Sequence, residues 1–435
     1  MDPSELYTAE VVEKTLRCIS KTGEEKQVDL KHIVGVTHSH EHHQQPTYRV
    51  LFLADAEENR DESPLNLTKC DITSLPVVIS TRSGTGMAHA VFQSSVKPLL
   101  EYLALDYLIF ETQSAETIIE ISRSRFLEQA CAGVPQTIIL LSGDGGLIDI
   151  VDVFYKSART VQMNPCIALV PCGTGNAMAS SLGLRSGPIS GLTALLRGQP
   201  LPVPIFTAKF SPGSQLVIDE GRQRVSIGPQ LDAPYQTIYG AVVTSWGLHA
   251  ALVADSDTTE YRKFGSERFK MAAKELLYPS NGMEPHRFQG QITLTVSDDG
   301  STAGDSGSGD REQEIIKDDE HMYVLATLVP RLEKDFLISP ESEPLDGQMR
   351  FLRFGPLPAE EAMRLMTLAY QQGQHVLDEK VLYKRVDQLR IEFQEDNERW
   401  RRVCVDGKIV AVAQGGWMEL SNDPRQLLCV IKPSE

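Results

Sequence analysis

The sequence predicts an α/β unit built on a parallel sheet, preceded by a small β-rich module and followed by a β-rich unit. Short apolar runs with helical stretches between them start at residue 76 and recur about every thirty residues, a spacing typical of βαβ units. After Gly198, further strand-like runs follow without regular helices. The 435 residues are too many for one ordinary core, which favours two or three domains.

Composition narrows the class of protein. Apolar residues make up 41% and charged residues 23% of the chain, as in soluble globular proteins. The formal net charge of −17 argues against a nucleic-acid binder and against diffuse attraction to anionic membranes. We expect a cytoplasmic protein, because the N-terminus lacks a signal-like pattern and the seven cysteines form no CxxC pair. Membrane contact would then be local and transient.

The elements follow in chain order. Runs such as VVEKTLRCIS, KHIVGVTHS and TYRVLFLAD predict the small β-rich module over residues 1–70. The runs PVVIS, DYLIFET, TIILLSGDGG and CIALVPCGTGN predict the parallel strands of an α/β unit over residues 76–200. Pro98 should kink the first intervening helix or stop it early.

The β-rich unit is expected to span residues 201–435. Within it, residues 297–318 are predicted to form a disordered insert, because residues 297–314 are poor in apolar side chains and rich in Gly, Ser and Asp. One helix is predicted over residues 359–373, with Gly373 as its stop.

A histidine cluster, His38 to His43, lies in the N-terminal module. Closely spaced imidazoles can chelate a metal, but histidine-rich surface loops are common and nothing here fixes a ligand geometry. A solvated loop is therefore the preferred interpretation.

The motif SGDGG at residues 142–146 carries the strongest chemical signal. It joins an apolar strand to a helix, and glycines at such a turn let the backbone approach a phosphate closely. Asp144 would repel phosphates, so it is a candidate to hold Mg²⁺ or to take a proton from an attacking hydroxyl. The alternative is a tight turn in which Asp144 merely caps the helix.

A second strand–turn–helix motif, LVPCGTGNAMASSLG, spans residues 169–183. Its turn offers backbone N–H groups, a hydroxyl and an amide to a nucleotide. Both turns would lie at the carboxyl edge of a parallel sheet, where open α/β sheets bind ligands. A third turn, ISTRSGTGMA at residues 79–88, could close over the nucleotide, although it is neither a Walker A loop nor a clean GxGxxG.

Four motifs occur together in one order: SGDGG, PCGTGNAMASSLG, SWG at residues 245–247 and EYRKFGSERF at residues 260–269. On this set, residues 76–280 resemble the diacylglycerol kinase catalytic family, in particular its sphingosine kinase and ceramide kinase branch. Val405-Asp406-Gly407 adds a further match. The resemblance implies a Rossmann-like catalytic domain followed by a β-sandwich, with ATP, Mg²⁺ and a lipid carrying a free hydroxyl meeting between them.

The resemblance also implies roles for individual residues. Asp144 would be the general base toward the lipid hydroxyl and a metal contact. Arg262 and Arg268 would reach the ATP phosphates, because guanidinium groups can neutralise the charge that spreads over the phosphate oxygens during transfer. Outside the motif context, a solvated helix face is the expected place for these arginines. The nucleotide site would comprise Arg82, Ser83, Gly84, Thr112, Gly143, Gly145, Gly146, Gly173, Thr174, Gly175, Asn176 and Asp406.

The lipid side is assigned to Asp149, Trp246, His249 and Asp255. For Trp246, packing in the core is the default interpretation, and for His249 a buried histidine is an equal alternative. The family's lipid-recognition aspartate is replaced here by Ala251, so Asp255 and Asp257 are candidates to take over its contact.

Other departures from the family lie in the nucleotide loops: Ser80-Thr81 replaces Asn-Pro, Thr85 and Met87 replace basic residues, Gly146 replaces Thr, and Lys408 replaces Glu. The favoured function is an ATP-dependent lipid kinase acting on a long-chain base, with ceramide and diacylglycerol as close alternatives. A soluble-substrate kinase of the NAD kinase-like superfamily and a catalytically impaired nucleotide-binding regulator remain the rivals. Oligomeric state is left open.

Overall fold

In the computed structural model, residues 75–184, 188–227, 235–265, 267–280, 282–296 and 312–433 are described, together with the backbone of five N-terminal strands. These strands form two antiparallel sheets. The first contains β1 (Tyr7–Val12), β2 (Thr15–Ser20) and β3 (Glu25–Asp29), and the second contains β4 (Ile33–Ser39) and β5 (Thr47–Phe52). His38 belongs to β4, but His40, His42 and His43 lie outside the described residues, so the predicted histidine cluster stays a prediction.

The α/β part alternates strands and helices. Its strands are β6 (Leu75–Ile79), β7 (Tyr107–Glu111), β8 (Thr137–Ser142), β9 (Cys166–Pro171) and β10 (Gln199–Pro202). Its helices are α1 (Ala88–Val91), α2 (Lys97–Tyr102), α3 (Thr117–Ile121), α4 (Leu127–Cys131), α5 (Asp144–Lys156), α6 (Ala177–Ser181) and α7 (Pro188–Arg197). π-Helical turns at Phe92–Val96 and Ser122–Phe126 join α1 to α2 and α3 to α4.

The helix containing Pro98 continues to Tyr102, so the predicted early stop is wrong. Pro98 lies in the first turn of α2, directly after the π-helical turn. A proline is tolerated in the first turn of a helix because its missing N–H is not needed there. The departure from α-helical geometry is the π-helical turn before the proline, and it does not occur at the proline itself.

The second part is rich in strands. They are β11 (Ile205–Phe210), β12 (Gln215–Ile218), β13 (Gln223–Ser226), β14 (Gln236–Gly240), β15 (Val243–Gly247), β16 (Phe288–Val296), β17 (Glu312–Ile315), β18 (Glu320–His321), β19 (Tyr323–Thr327), β20 (Arg350–Phe354), β21 (Val381–Arg385), β22 (Gln388–Phe393), β23 (Arg402–Val405), β24 (Lys408–Ala411), β25 (Trp417–Asp423) and β26 (Cys429–Lys432). Its helices are α8 (Leu248–Ser256), α9 (Thr259–Arg262), α10 (Glu267–Leu277) and α11 (Ala359–Tyr370), with 3₁₀ turns at Gln374–Leu377 and Glu398–Arg401.

Two antiparallel sheets make up most of this part. One has the order β14-β11-β25-β22-β16-β17, with β18 on β16, and the other the order β13-β12-β24-β23-β15-β19-β20-β21. One buried cluster draws side chains from both sheets, including Phe206, Trp246, Phe351, Ile391 and Val403. The sheets therefore pack face to face as a sandwich.

The parallel sheet has the order β10-β26-β9-β8-β6-β7. Its pairs β7–β6, β6–β8, β8–β9 and β9–β26 are parallel, and only the edge strand β10 is antiparallel. The last strand of the chain, β26, thus returns to the α/β sheet. The structure differs here from the predicted division, in which all of residues 201–435 formed the β-rich unit.

The predicted insert is also corrected at its end. β17 pairs with β16, with Val296 opposite Glu312 and Thr293 opposite Ile315, so residues 312–315 form a strand within the predicted disordered range 297–318. Residues 297–311 lie outside the described residues. Among the helices in the described ranges, none has the length and apolar character that crossing a bilayer requires.

Candidate active site

The two glycine-rich turns meet at the carboxyl end of the parallel sheet. The final residue of β8, Ser142, is paired with Pro171 of β9. Just beyond that pair, the two backbones touch: a Cβ built on Gly173 would lie 2.4 Å from the Cα of Gly143. Only glycine permits such an approach. The predicted convergence of the turns is therefore confirmed.

This backbone contact leads to a prediction about stability. Gly173→Ala should force the two turns apart and lower the free energy of unfolding by about 1–3 kcal/mol, the usual cost of overpacking. Gly145→Ala is the matched control, since a Cβ on Gly145 has nothing within 4 Å and alanine favours a helix. Denaturant unfolding of both variants checks the prediction, and equal stability of the two would contradict it.

The loop formed by residues 80–87 contacts the two turns at this carboxyl edge of the sheet, which we call the rim. The hydroxyl oxygen of Ser83 accepts the N–H of Gly143 at 2.8 Å. Gly84 has φ +55°, and a Cβ there would lie 2.5 Å from the carbonyl oxygen of Cys172. Ser83 and Gly84 therefore join this loop to both turns, and Arg82 is exposed beside them.

Thr112, which follows β7, holds this loop from the other side. The Thr81 N–H donates to the Thr112 hydroxyl at 3.0 Å, and the Thr81 hydroxyl donates to the Thr112 carbonyl at 2.9 Å. Thr112 thus supports the loop that carries Ser83. It was predicted to line the nucleotide site, and that role stays a prediction, since its side-chain contacts in the structure are with Thr81.

Asp144, the first residue of α5, binds the start of the neighbouring helix α6. Its Oδ2 accepts the N–H of Ala177 at 2.7 Å and its Oδ1 accepts the N–H of Met178 at 2.9 Å. Burial raises the pKa of Asp144, and these N–H groups oppose the rise. The alternative in which Asp144 caps its own helix is wrong, because the N-cap of α5 is Gly143 and the Asp144 carboxylate binds the start of α6 instead. Each oxygen still has a second lone pair with which to accept a hydroxyl proton.

Asp406 comes from the turn between β23 and β24. Its Oδ2 accepts the N–H of Ala241 at 2.6 Å and its Oδ1 that of Val243 at 2.6 Å. Burial raises the pKa of Asp406 to about 7; neighbouring backbone N–H groups lower it, and the charge of Asp144 raises it further. One carboxylate from each part of the chain therefore lies close enough to interact at the rim.

An ion-pair cluster holds the Asp406 turn to α5. The Lys408 Nζ lies 3.8 Å from Oδ1 of Asp149 and makes a shorter contact with Oδ2 of Asp152. Burial raises the pKa of Asp149 to about 6, and Lys408 opposes that rise. Asp149 was assigned to the lipid side, and in the structure its partner is Lys408. The lysine that departs from the family pattern is thus matched by two aspartates.

A cleft of about 420 Å³ opens beside the second turn. The N–H groups of Thr174 and Gly175 have no hydrogen-bond partner within the described ranges, so they are available to an anion. Asn176 instead folds back, because its side chain accepts the Gly173 N–H and donates to the Gly173 carbonyl, both at 2.8 Å. The cleft is lined by Pro171, Thr174, Gly175, Asn176, Ser180, Leu184, Glu267, Lys270, Glu333, Lys334, Asp335 and Tyr370.

The two predicted arginines converge on one carboxylate. Oδ1 of Asp257 lies 2.9 Å from Nη2 of Arg262 and 3.6 Å from Nη1 of Arg268. Burial lowers the pKa of Arg268, and its Nε is buried without a hydrogen-bond partner among the described residues. The structure therefore brings the arginines together on Asp257, and none of their ion pairs within the described residues is to Asp144.

α8 does not offer a free carboxylate to a lipid. Ala251 is buried in the sandwich core. Asp255, one turn later, is paired with Arg399 at 2.8 Å and with Arg402 at 2.7 Å. The assignment of Asp255 to the lipid side is therefore corrected, because two arginines already neutralise it. Asp257 is likewise paired.

Trp246 is a core residue. It is fully buried, its indole N–H donates to the Trp400 carbonyl at 2.8 Å, and Phe288 and Phe393 pack edge-on against it. The assignment of Trp246 to the lipid side is therefore corrected: Trp246 packs in the core, which was the default interpretation. His249 lies 2.7 Å from the Ser245 hydroxyl through Nδ1, and burial lowers its pKa to about 4, so it is neutral at physiological pH.

Sequence reasoning missed several residues that the structure brings to the site. Lys270 and Lys334 line the cleft, and Lys334 belongs to no motif that could have revealed it. Thr81 was noted only as a departure from the family loop, although it forms the bonds to Thr112. Glycine spacing identifies turns, but it carries no information about which distant side chains face them.

Comparison with known proteins confirms the predicted resemblance. The model of the diacylglycerol kinase catalytic domain matches residues 74–208. Residues 74–208 are therefore similar to a diacylglycerol kinase catalytic domain. The matched region contains all three loops of the rim but neither Asp406 nor the two arginines.

The relatives that this chain resembles include two sphingosine kinases and a long chain base kinase. Sphingosine kinase 1 of Arabidopsis thaliana is 24% identical over 335 residues, which is 72% of this chain and 62% of the relative. Sphingosine kinase 1 of Homo sapiens is 30% identical over 113 residues, 26% of this chain and 28% of the relative. Sphingoid long chain base kinase 5 of Saccharomyces cerevisiae is 29% identical over 126 residues, which is 28% of this chain and 18% of the relative. The matches thus cover less than two thirds of each of these relatives.

A solved structure supports the fold. A candidate diacylglycerol kinase from Bacillus anthracis str. Sterne aligns with 84% of this chain and 98% of its own length, at 15% identity and a TM-score of 0.54. At this identity the similarity concerns the fold alone. This chain therefore shares its mixed α/β and β architecture with that protein.

Proposed function

We propose that this chain is an ATP-dependent lipid kinase that phosphorylates the hydroxyl of a long-chain base, with ceramide and diacylglycerol as the alternative acceptors. The observation that carries the proposal is the rim where three backbone turns touch, with Asp144 and Asp406 beside it. The Gly-Asp-Gly turn also occurs in soluble-substrate kinases, so by itself it would not favour a lipid as the phosphate acceptor. The family match over residues 74–208 does favour it.

The chain's own residues account for the binding of a nucleotide. The unpartnered N–H groups of Thr174 and Gly175 are suited to phosphate oxygens, and the contact between Gly143 and Gly173 keeps side chains out of their path. Lys270 and Lys334 are the two cations of the cleft lining, beside Glu267, Glu333 and Asp335, and Lys270 is paired with Glu267 at 2.7 Å. Arg262 and Arg268 would neutralise charge on the transferring phosphoryl group after leaving Asp257.

Two carboxylates are suited to hold Mg²⁺. Asp144 and Asp406 supply oxygen ligands, which Mg²⁺ prefers, and the charge of each disfavours ionisation of the other unless a cation is present. Among the described residues, no group of three or more His, Cys, Asp or Glu side chains is arranged to hold a metal ion. When bound, Mg²⁺ would neutralise charge on the terminal phosphates.

Asp144 is the proposed acceptor of the hydroxyl proton. Because burial raises its pKa, it is a stronger base than an exposed aspartate, while the N–H groups of Ala177 and Met178 fix its orientation. Exposed apolar side chains near the cleft helix α10, Phe264 and Met271, fit a cytoplasmic protein that touches a membrane transiently to collect its lipid.

A substrate panel tests the proposal. The full chain with radiolabelled ATP and Mg²⁺ is offered sphingosine, ceramide, diacylglycerol and NAD, and label in a lipid product is expected, with sphingosine the best acceptor. Label in NAD alone would favour a soluble-substrate kinase. Normal ATP binding without transfer to any acceptor would favour an impaired regulatory protein. The specific observation for that alternative is that arginines neutralise both Asp255 in α8 and Asp257 just after it.

A further inference from the structure

Two cysteines lie opposite each other at the far end of the parallel sheet. Cys166 is the first residue of β9 and Cys429 the first residue of β26, and the two are direct partners in the parallel register. Neighbouring strands lie about 4.8 Å apart with registered side chains on one face, within the Cα separation of about 4.4–6.8 Å that a disulfide spans. Neither residue is in a disulfide, and both are partly exposed.

The pKa of Cys429 is shifted in the opposite direction from those of Cys172 and Cys404. A hydrogen bond from Cys166 lowers the pKa of Cys429 to about 7, so much of Cys429 is thiolate at neutral pH. Burial instead raises the pKa of Cys172 to about 11 and that of Cys404 to about 12. An oxidant should therefore react with Cys429 and spare the cysteine next to the active-site rim.

We propose that Cys166 and Cys429 form an oxidation site that reacts with a peroxide and closes as an intramolecular disulfide. The Cys429 thiolate attacks one peroxide oxygen, the O–O bond breaks, and a sulfenic acid and hydroxide form; the proton that the Cys429 thiol had released to solvent converts the hydroxide to water. The Cys166 sulfur then attacks the sulfenic sulfur, the S–O bond breaks, and a second water leaves with the Cys166 proton. Two thiols and one hydrogen peroxide give one disulfide and two waters.

The position of the pair decides what the disulfide would do. β26 follows β25 of the sandwich and then enters the parallel sheet between β9 and β10. A covalent bond at Cys429 would fasten this returning strand to the catalytic sheet. Cys166 begins β9, whereas the glycine-rich turn follows its end, so the bond would lie away from the nucleotide cleft and would leave it open.

Oxidation of the purified full chain with hydrogen peroxide at a one-to-one ratio tests the site. Non-reducing peptide mass mapping should find the Cys166 and Cys429 peptides linked with the loss of two hydrogens. The melting temperature should rise by about 5 °C, because the bond closes a loop of roughly 260 residues, and dithiothreitol should reverse the rise.

Matched variants complete the test. Cys166→Ser should stop the reaction at a sulfenic acid on Cys429 that dimedone traps, with no rise in melting temperature, whereas Cys131→Ser should still form the link. Wild-type protein that forms only links between chains, or that is oxidised at Cys429 without joining Cys166, would overturn the proposal. This result is independent of whether the chain phosphorylates a lipid.

Discussion

Asp144→Asn is expected to reduce the rate of phosphoryl transfer by about a hundredfold or more, the contribution of a positioned general base. The amide can still accept one N–H from the start of α6, but it cannot take the hydroxyl proton. The measurement is kcat with saturating ATP and the best acceptor of the panel. Because Asp144 also binds Ala177 and Met178, ATP affinity and melting temperature are measured on the same protein.

Asp149→Asn is the matched control, since it makes the same chemical change five residues later on the same helix. Lys408 retains its contact with Asp152 in that variant, so kcat should change only a few-fold. A rate in Asp144→Asn close to that of Asp149→Asn, with both proteins folded, would refute the assignment of Asp144 as the base.

Asp406→Asn is expected to lower kcat/KM for ATP with Mg²⁺ by roughly a hundredfold, since one of the two carboxylates proposed to hold the metal is lost. The wild type should also depend on pH. Its Asp406 pKa of about 7 means that the carboxylate is mostly protonated at pH 6 and mostly ionised at pH 8. Mg²⁺ binds the ionised form, so half-maximal activity at pH 6 should need about tenfold more Mg²⁺ than at pH 8.

The variant separates this titration from other effects of pH. Asp406→Asn should need more Mg²⁺ at every pH and should lose the difference between pH 6 and pH 8. If the wild type needs the same Mg²⁺ concentration at both values, or if the variant keeps the shift, Asp406 is not the titrating metal ligand.

The parallel sheet and its rim were predictable because their signals are local. A buried strand followed by glycines specifies a tight turn, and parallel strands place such turns at one edge, so the contact between Gly143 and Gly173 follows from two short motifs. Asp144 could be assigned to this edge for the same reason. Its binding to α6 could not, because that contact depends on the position of a second helix.

The errors have a common physical origin in long-range pairing. Asp255 looks like a free carboxylate in the sequence, but Arg399 and Arg402, which neutralise it, lie more than a hundred residues later. Trp246 is followed by a glycine in a motif, yet its environment is set by strands from across the sandwich. The turn that carries Asp406 reaches Asp144 only because the sandwich brings β23 and β24 to the rim, which no local pattern encodes.

The return of β26 to the parallel sheet has a practical consequence for anyone dissecting this molecule. A fragment cut from the region matched by the family model would carry every glycine-rich turn but would leave the β9 edge without its neighbour, as a row of unpaired backbone groups open to self-association. Tags and truncations at the extreme carboxyl end therefore act directly on the catalytic half, and the chain has to be handled whole.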